Sequence, residues 1–160
     1  MPSSKFFPLE SLVPIILDER KKGKTIVLAN GCFDLIHVGH IRYLLGAKKM
    51  GDLLVVALNS DDSLKKLKGR GEALIDQDGR ITSVSAFECV DYVTLFDEIR
   101  ADRVILTLKP DVHCKGSDYT LQTVPERDVV RGYGGKIAIV GGAKVQSTSL
   151  LVRRIRKSFA

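Results

Sequence analysis

The sequence has 160 residues, of which 44% are hydrophobic and 28% charged, and its formal net charge is +6. These are ordinary globular values, and they exclude a disordered chain, a collagen-like repeat and a disulfide-stapled miniature fold. No apolar run approaches the ~18 residues of a membrane-spanning helix, and residues 1–23 lack the layout of a signal or transit peptide. The composition predicts one cytoplasmic domain over 1–160 with three reduced cysteines. The positive charge favours a polyanionic partner: nucleic acid, an anionic membrane surface or small phosphorylated substrates.

Short apolar runs alternate with helical segments along the chain. Residues 1–23 are expected to form a lead-in helix before the main body of the domain. The apolar runs predict five strands, at 25–30, 53–58, 92–96, 111–115 and 136–140. The segments between and after them predict five helices, at 40–50, 78–90, 100–108, 124–133 and 147–157. Residues 100–108 could also be a strand, but the following Lys109-Pro110 favours a helix that stops there.

This alternation predicts an α/β fold with a single Rossmann-like, doubly wound sheet of five parallel strands and helices on both faces. Ligands of such sheets bind beyond the carboxyl ends of the strands. Residues 69–79 are predicted to form a long polar loop, and long loops in compact domains are often functional. The residues that follow each strand are therefore the first candidates for a site.

Two of the three histidines directly follow the first predicted strand, in GCFDLIHVGH (31–40). His37 and His40 are three residues apart at a helix start and so share a face, and Gly39 lets a ligand approach the backbone. A helix start also offers unpaired N–H groups and a partial positive charge. The segment predicts a phosphate site with two imidazoles, each about a quarter protonated at pH 7. The alternatives are a pair of satisfied histidines or, less favoured for want of a nearby third ligand, a metal pair.

Three later segments also suit phosphate chemistry. Residues 65–70, with Lys65, Lys66 and Lys68, are either a cationic flap over a phosphate or a solvated helix face. The Ser-Thr-Ser run at 147–149 caps the last predicted helix, and its hydroxyl and N–H groups could also bind phosphate. The turn at 115–118 ends the fourth strand, and Asp118 can stabilise that turn.

These motifs resemble known proteins. GCFDLIHVGH is similar to the HxGH loop of the nucleotidyltransferase superfamily that includes cytidylyltransferases and class I aminoacyl-tRNA synthetases. AKKMGDLLVVALNSDDSLKKLKG, LKPDVHCKGSDY and VQSTSLLVRRI resemble, in order, the second strand with its lysine segment, the fourth strand and the closing Ser-Thr helix of the bacterial heptose-phosphate adenylyltransferases. The resemblance covers roughly residues 24–157, which it identifies as the catalytic core.

The resemblance implies roles for individual residues. Catalytic roles fall on His37, His40, Lys66, Lys68 and Arg80. Nucleotide binding falls on Gly31, Cys32, Phe33, Asp34, Gly39, Asn59, Asp61, Lys115, Gly116, Asp118, Ser147 and Thr148. Asp34 would orient the loop or assist Mg²⁺, which is the expected cofactor although no metal ligand is assigned. Arg70 and Lys115 are candidates for contacts with the acceptor, from charge and position alone.

Two segments depart from the family's patterns. Arg80 follows Asp78-Gly79 where family members often carry Glu-(Gln/Arg), which places the start of that helix in question. The lead into the closing helix, 142–145, lacks the arginine of the Arg-Thr-Glu-Gly sequence of glycerol-phosphate cytidylyltransferases. Lys144 would supply some charge there. This departure disfavours a glycerol-phosphate substrate.

The resemblance implies transfer of AMP from ATP to a sugar 1-phosphate, D-glycero-D-manno-heptose 1-phosphate, for surface polysaccharide synthesis. The alternatives are a cytidylyltransferase acting on glycerol 3-phosphate or a related ester, and a regulatory module that binds nucleotide without turnover. Nucleic acid is disfavoured as a partner, because aromatic-interleaved basic stretches and reading motifs are missing, and a membrane partner is not expected. A homodimer is expected, with a separate kinase supplying the sugar 1-phosphate.

Overall fold

The computed structural model describes residues 4–68, 73–143 and 146–158, with no account of the Lys68 side chain. Its five strands all pair in parallel, in the spatial order β3-β2-β1-β4-β5. The strands are β1 (Ile26–Gly31), β2 (Leu53–Asn59), β3 (Tyr92–Phe96), β4 (Val112–Gly116) and β5 (Lys136–Val140). The predicted fold class is confirmed, because all five predicted strands occur in one doubly wound sheet.

Within the described residues, seven helices surround the sheet. They are α1 (Leu9–Lys21), α2 (Val38–Lys48), α3 (Asp61–Lys68), α4 (Gln77–Ser85), α5 (Asp102–Leu108), α6 (Arg127–Gly132) and α7 (Thr148–Ser158). The favoured helical interpretation of 100–108 is therefore confirmed. Among these helices, none is long and apolar enough to cross a membrane.

The side chains of each strand point alternately to the two faces of the sheet and divide the core into two layers. Val27 and Ala29 of β1 pack with Leu44 of α2 and Val84 of α4. Ile26 and Leu28 point to the opposite face and pack with buried residues of α1, α5 and α6. Successive side chains of a strand point to opposite faces, so these continuous apolar runs are buried on both sides, as a parallel sheet requires.

The helix boundaries differ from the predicted ones between β2 and β3. A short helix, α3, follows β2 directly and carries Lys65, Lys66 and Lys68. The helix predicted over 78–90 runs over Gln77–Ser85 instead, and the Asp76 carboxylate caps it by accepting from the Gly79 N–H at 2.8 Å. Gln77, Asp78 and Gly79 thus belong to a helix rather than to the predicted loop over 69–79. The residue order Asp-Gly-Arg is compatible with this helix because Asp76 supplies the cap.

The strand order reverses direction between β1 and β4. β1 leads outward through β2 to β3, whereas β4 lies on its other side and leads to β5. This reversal is the switch point of a doubly wound sheet, where a crevice opens beyond the carboxyl ends of the strands. Asn30 and Gly31 end β1 there, and Lys115 and Gly116 end β4.

Candidate functional site

A pocket of about 600 Å³ opens at this switch point, which is a usual size for a small-molecule site. Segments after β1, β4 and β5 supply most of its wall. The predicted residues that line it are Gly31, Cys32, Phe33, His37, Gly39, His40, Asn59, Lys115, Gly116, Asp118, Ser147 and Thr148. The structure therefore brings together both histidines, the turn after β4 and the start of α7, which are far apart in sequence.

The two histidines form one wall of the pocket. Their rings stack with centroids 3.9 Å apart. His37 is the N-cap residue of α2, and its Nδ1 accepts a hydrogen bond from the Gly39 N–H at 3.1 Å. A neutral imidazole that accepts at Nδ1 carries its proton on Nε2. The cap therefore fixes the tautomer of His37 with an N–H donor at Nε2.

His40 is partly buried. Burial lowers the pKa of His40 to about 4, with a further contribution from the neighbouring His37. Its Nδ1 makes no hydrogen bond of acceptable geometry with the described residues, although the backbone of Leu35 lies close enough to oppose part of the pKa shift. His40 is therefore neutral at pH 7, whereas the sequence analysis predicted that about a quarter of an unperturbed histidine would be protonated.

Gly39 lies between the two histidines, where neighbouring atoms leave no room for a side chain. A Cβ on Gly39 would lie 2.8 Å from the His37 ring and 3.4 Å from the carbonyl oxygen of Gln146. Gln146 directly precedes the start of α7, so the first turns of α2 and α7 meet at the pocket. Ser147 caps α7 through its Oγ, which accepts from the Leu150 N–H at 3.3 Å. The predicted capping is confirmed, and two helix starts with their N–H groups face the same cavity.

The Lys115 side chain points to the face of the sheet opposite the layer that contains α2. Val112 and Cys114 of β4 pack in the layer that contains α2, so alternation directs Lys115 toward α5 and α6. There its Nζ lies 3.4 Å from Oε1 and 3.3 Å from Oε2 of Glu126, and both side chains are almost fully buried. Burial lowers the pKa of Lys115, and Glu126 opposes that shift.

Sequence reasoning missed Glu126, Asn30 and His113. Asn30 lines the pocket, and its Oδ1 lies 3.0 Å from Nε2 of the fully buried His113. Burial, with the charge of Lys115, lowers the pKa of His113 to about 3. The available signal was strand alternation: Asn30, His113 and Lys115 fall on one face of two adjacent strands.

Four predicted site residues lie outside the pocket wall. Arg80 is fully buried, and its guanidinium donates to the carbonyl oxygens of Cys32, Asn59 and Ile75 at 2.8, 2.7 and 3.1 Å and to Asp61 at 2.7 Å. Backbone carbonyls and a carboxylate already surround the guanidinium in the free protein, and the predicted phosphate contact stays a prediction. Asp61 is held by Arg80 and by the Gln77 N–H, and its predicted contact with a nucleotide likewise stays a prediction.

The other two are Asp34 and Lys66. The Asp34 carboxylate accepts from the backbone N–H groups of Leu74 and Ile75 at 3.2 and 2.9 Å, which fits the predicted loop-orienting role. Lys66 is exposed on α3 and donates to the Asp97 carbonyl oxygen at 3.3 Å. Arg70 and Lys144 lie outside the described residues, as does the side chain of Lys68.

The expected Mg²⁺ can be tested against the donor atoms present. Among the described residues, no three His, Cys, Asp or Glu side chains are grouped to hold a metal, and backbone N–H groups already engage both Asp34 oxygens. Mg²⁺ prefers phosphate oxygens and water to a cage made only of protein atoms.

Comparison with known proteins agrees with this geometry. The sequence profile of a family described as cytidylyltransferase-like matches residues 28–150. The chain belongs to the cytidylyltransferase-like family. As a member of that family it is a nucleotidyltransferase, and the resemblance of its HxGH loop to this superfamily is confirmed.

Relatives of this cytidylyltransferase-like chain include two named bifunctional protein HldE. The one from Syntrophotalea carbinolica is 45% identical over 152 residues, covering 95% of this chain and 31% of the relative. The one from Geobacter sulfurreducens is 46% identical over 151 residues, covering 94% and 31%. The chain therefore spans less than a third of the length of these relatives.

Solved structures of the same fold include a lipopolysaccharide core biosynthesis protein from Thermoplasma volcanium. It is 29% identical with a TM-score of 0.65, and the match covers 78% of this chain and all of that one. A pantoate-beta-alanine ligase from Francisella tularensis, solved with an ATP analogue and beta-alanine, has a TM-score of 0.62 over 92% of this chain and 69% of its own. At 15% identity, the ligase shares the fold alone.

Proposed function

We propose that this protein transfers the adenylyl group of ATP to D-glycero-D-manno-heptose 1-phosphate, giving ADP-heptose and pyrophosphate for lipopolysaccharide or other surface polysaccharide synthesis. Relatives named HldE, at 40–46% identity over nearly the whole chain, support the heptose acceptor. The stacked His37–His40 pair beside the starts of α2 and α7 carries the proposal, because these groups offer hydrogen-bond donors that suit phosphate oxygens.

The proposed reaction is a substitution at the α-phosphorus of ATP. A phosphate oxygen of the sugar 1-phosphate attacks this phosphorus and forms the new P–O bond. The bond from the α-phosphorus to the α,β-bridging oxygen breaks, and pyrophosphate leaves with the electron pair. The attacking phosphate is already ionised at pH 7, so the protein has no proton to remove. Positioning and stabilisation of the developing charge are what remain for it to supply.

The pocket side chains suit those tasks. His37, fixed as the Nε2–H tautomer, and neutral His40 can each donate a hydrogen bond to phosphate oxygens. The N–H groups and Ser147 hydroxyl at the start of α7 would hold the departing β and γ phosphates. Mg²⁺ would arrive with ATP and neutralise part of the phosphate charge. The turn that contains Asp118 would lie beside the base.

The substrate itself requires an earlier phosphorylation, because a sugar 1-phosphate is the product of a kinase-class reaction. A separate heptose-phosphate kinase and a homodimeric state stay predictions from the sequence.

The test is a matrix of reactions. The protein and Mg²⁺ are incubated with each of ATP, CTP, GTP and UTP, and with heptose 1-phosphate, mannose 1-phosphate or glycerol 3-phosphate, while pyrophosphate is measured. We expect the highest turnover with ATP and heptose 1-phosphate, with ADP-heptose identified by mass spectrometry. Preferred turnover of CTP with glycerol 3-phosphate would contradict the proposal and support the cytidylyltransferase alternative. Tight ATP binding without turnover of any acceptor would indicate a regulatory module.

A further inference from the structure

The Lys115–Glu126 pair has unused hydrogen-bonding capacity inside the pocket. Lys115 is 6% exposed and Glu126 2% exposed, and both line the cavity. Oε1 of Glu126 accepts one long hydrogen bond, of 3.4 Å, from Lys115. Oε2 has no hydrogen-bond partner among the described residues, although it lies 3.3 Å from the same ammonium group. The oxygens of a buried carboxylate ordinarily all accept hydrogen bonds. This arrangement therefore leaves acceptor positions on Glu126 for hydrogen bonds from a ligand.

The surroundings hold this pair in position. The Tyr119 ring centroid lies 5.1 Å from Nζ of Lys115 and covers one side of the ammonium group. Arg100, another residue of the pocket wall, donates to the carbonyl oxygen of Pro125 and pairs with Asp102. The residue that precedes Glu126 is therefore tied to the segment before α5, and the carboxylate is presented from a fixed backbone.

The charge of Glu126 determines which ligand group it can face. A buried carboxylate repels phosphate oxygens, which on the proposed function would be held across the sheet edge by the histidines and the start of α7. It accepts hydrogen bonds from hydroxyl groups, and the adjacent ammonium can donate to the oxygen of a neighbouring hydroxyl. A sugar with vicinal hydroxyls matches a carboxylate beside an ammonium.

We infer that Lys115 and Glu126 form a hydroxyl-recognition subsite, in which Glu126 accepts hydrogen bonds from sugar hydroxyls while the phosphates lie at the histidine end of the pocket. This inference rests on the proposed function, because it assumes that the pocket binds a nucleotide and a phosphorylated acceptor. The hydroxyls belong either to the nucleotide ribose or to the acceptor sugar. The chemistry is the same for both, and the experiment separates them.

The experiment measures discrimination against substrates that lack one hydroxyl. The kcat/KM of the wild-type protein is compared between ATP and its 2′-deoxy and 3′-deoxy forms, and between heptose 1-phosphate and analogues that each lack one hydroxyl. A site that binds a hydroxyl rejects the deoxy compound strongly, because its own buried polar groups are then left unpaired. We expect at least ~10-fold discrimination in one of the two series. Discrimination in the nucleotide series assigns the hydroxyls to the ribose, and in the acceptor series to the sugar.

The same series are repeated with Glu126→Gln, which keeps the shape of the side chain and removes its charge. We expect turnover of the parent substrate to fall by ~10-fold or more and the discrimination to shrink to a few-fold. Glu98→Gln, at a partly exposed glutamate outside the pocket wall, is the matched control and should leave both unchanged. If Glu126→Gln does not fold, Glu126→Asp keeps the charge next to Lys115 but withdraws it from the ligand, and the same loss of discrimination is expected.

Two results would overturn the inference: a wild-type protein that discriminates less than about three-fold in both series, or a folded Glu126 variant that retains the full wild-type discrimination. Failure of the proposed function is distinguishable from either. If heptose 1-phosphate is not a substrate, the nucleotide series is measured as direct binding by calorimetry without an acceptor. The acceptor series is then run with whichever phosphate ester supports turnover.

Discussion

Two ion pairs with a buried cation lie near the carboxyl edge of the sheet and differ in how completely their hydrogen bonds are satisfied. Arg80 directs its guanidinium to three carbonyl oxygens and to Asp61, at distances of 2.7 to 3.1 Å. Lys115 has one long hydrogen bond to Glu126, and one oxygen of that carboxylate has none among the described residues. Arg80 and Asp61 lie outside the pocket wall, whereas Lys115 and Glu126 form part of it.

The difference separates a structural tether from a binding group. A guanidinium surrounded by backbone acceptors stabilises the ends of β1 and β2 but has little to offer a ligand. An ion pair with open donor and acceptor positions costs stability in the free protein and gains its remaining partners when a ligand binds. Changes to the Arg80 cluster should therefore reduce stability, and changes to the pocket should reduce turnover.

The largest expected effect is that of Arg80→Leu. The change removes four hydrogen bonds and leaves three carbonyl oxygens and Asp61 without their donor, so we expect a loss of about 3–4 kcal/mol in the free energy of unfolding. The melting temperature should fall by ~10 °C. Arg103→Leu, which breaks an exposed pair with Glu10, should cost less than ~1 kcal/mol. Equal losses in the two variants, measured by urea unfolding, would contradict the tether.

His40→Ala tests the expectation that changes in the pocket reduce turnover rather than stability. On the proposed mechanism the change removes a donor to the reacting phosphates, and such losses typically lower kcat by ~100-fold or more. Stability should change little, because Nδ1 of His40 has no hydrogen bond with the described residues to lose. Steady-state pyrophosphate release and thermal unfolding on the same samples give both quantities. A kcat within a few-fold of wild type would remove His40 from the chemistry.

The sequence was sufficient for the sheet and for the histidine pair, because both depend on local patterns. Continuous apolar runs predict buried parallel strands, and His-x-Gly-His after a strand predicts a helix start with a phosphate site. The roles of Arg80 and Asp61 depend on contacts between segments about 20 residues apart, which no local pattern reveals. Glu126 was missed because it is an ordinary charged residue until the fold buries it beside Lys115.

His113 allows a pH-dependent test of the buried face beneath the pocket. Its folded pKa of about 3 lies below the unfolded value of 6.5, so protonation favours unfolding. The stability that depends on neutral His113 is present above pH ~6.5 and is lost as pH falls toward 3, by up to about 1.4 kcal/mol per pH unit. His40, with its pKa of about 4, adds in the same direction.

His113→Gln should flatten this dependence, since glutamine keeps a donor for the Asn30 oxygen but does not titrate. We expect the unfolding free energy of the variant to fall less steeply between pH 6.5 and 4.5 than that of the wild type. Urea unfolding at half-unit pH intervals measures the difference directly. Parallel curves for the two proteins would show that His113 does not titrate as the buried geometry requires.

The smallest expected effect is at Ser147, where capping and phosphate binding coincide. Ser147→Ala removes the hydroxyl that accepts from the Leu150 N–H and should cost about 1 kcal/mol of stability. Ser147→Asp keeps a good cap but places a negative charge where the β and γ phosphates are proposed to bind. Its stability should match the wild type, while the KM for ATP rises by ~10-fold. An aspartate variant with an unchanged KM would show that the start of α7 acts only as a structural cap, like the saturated cluster at Arg80, and does not hold the departing phosphates.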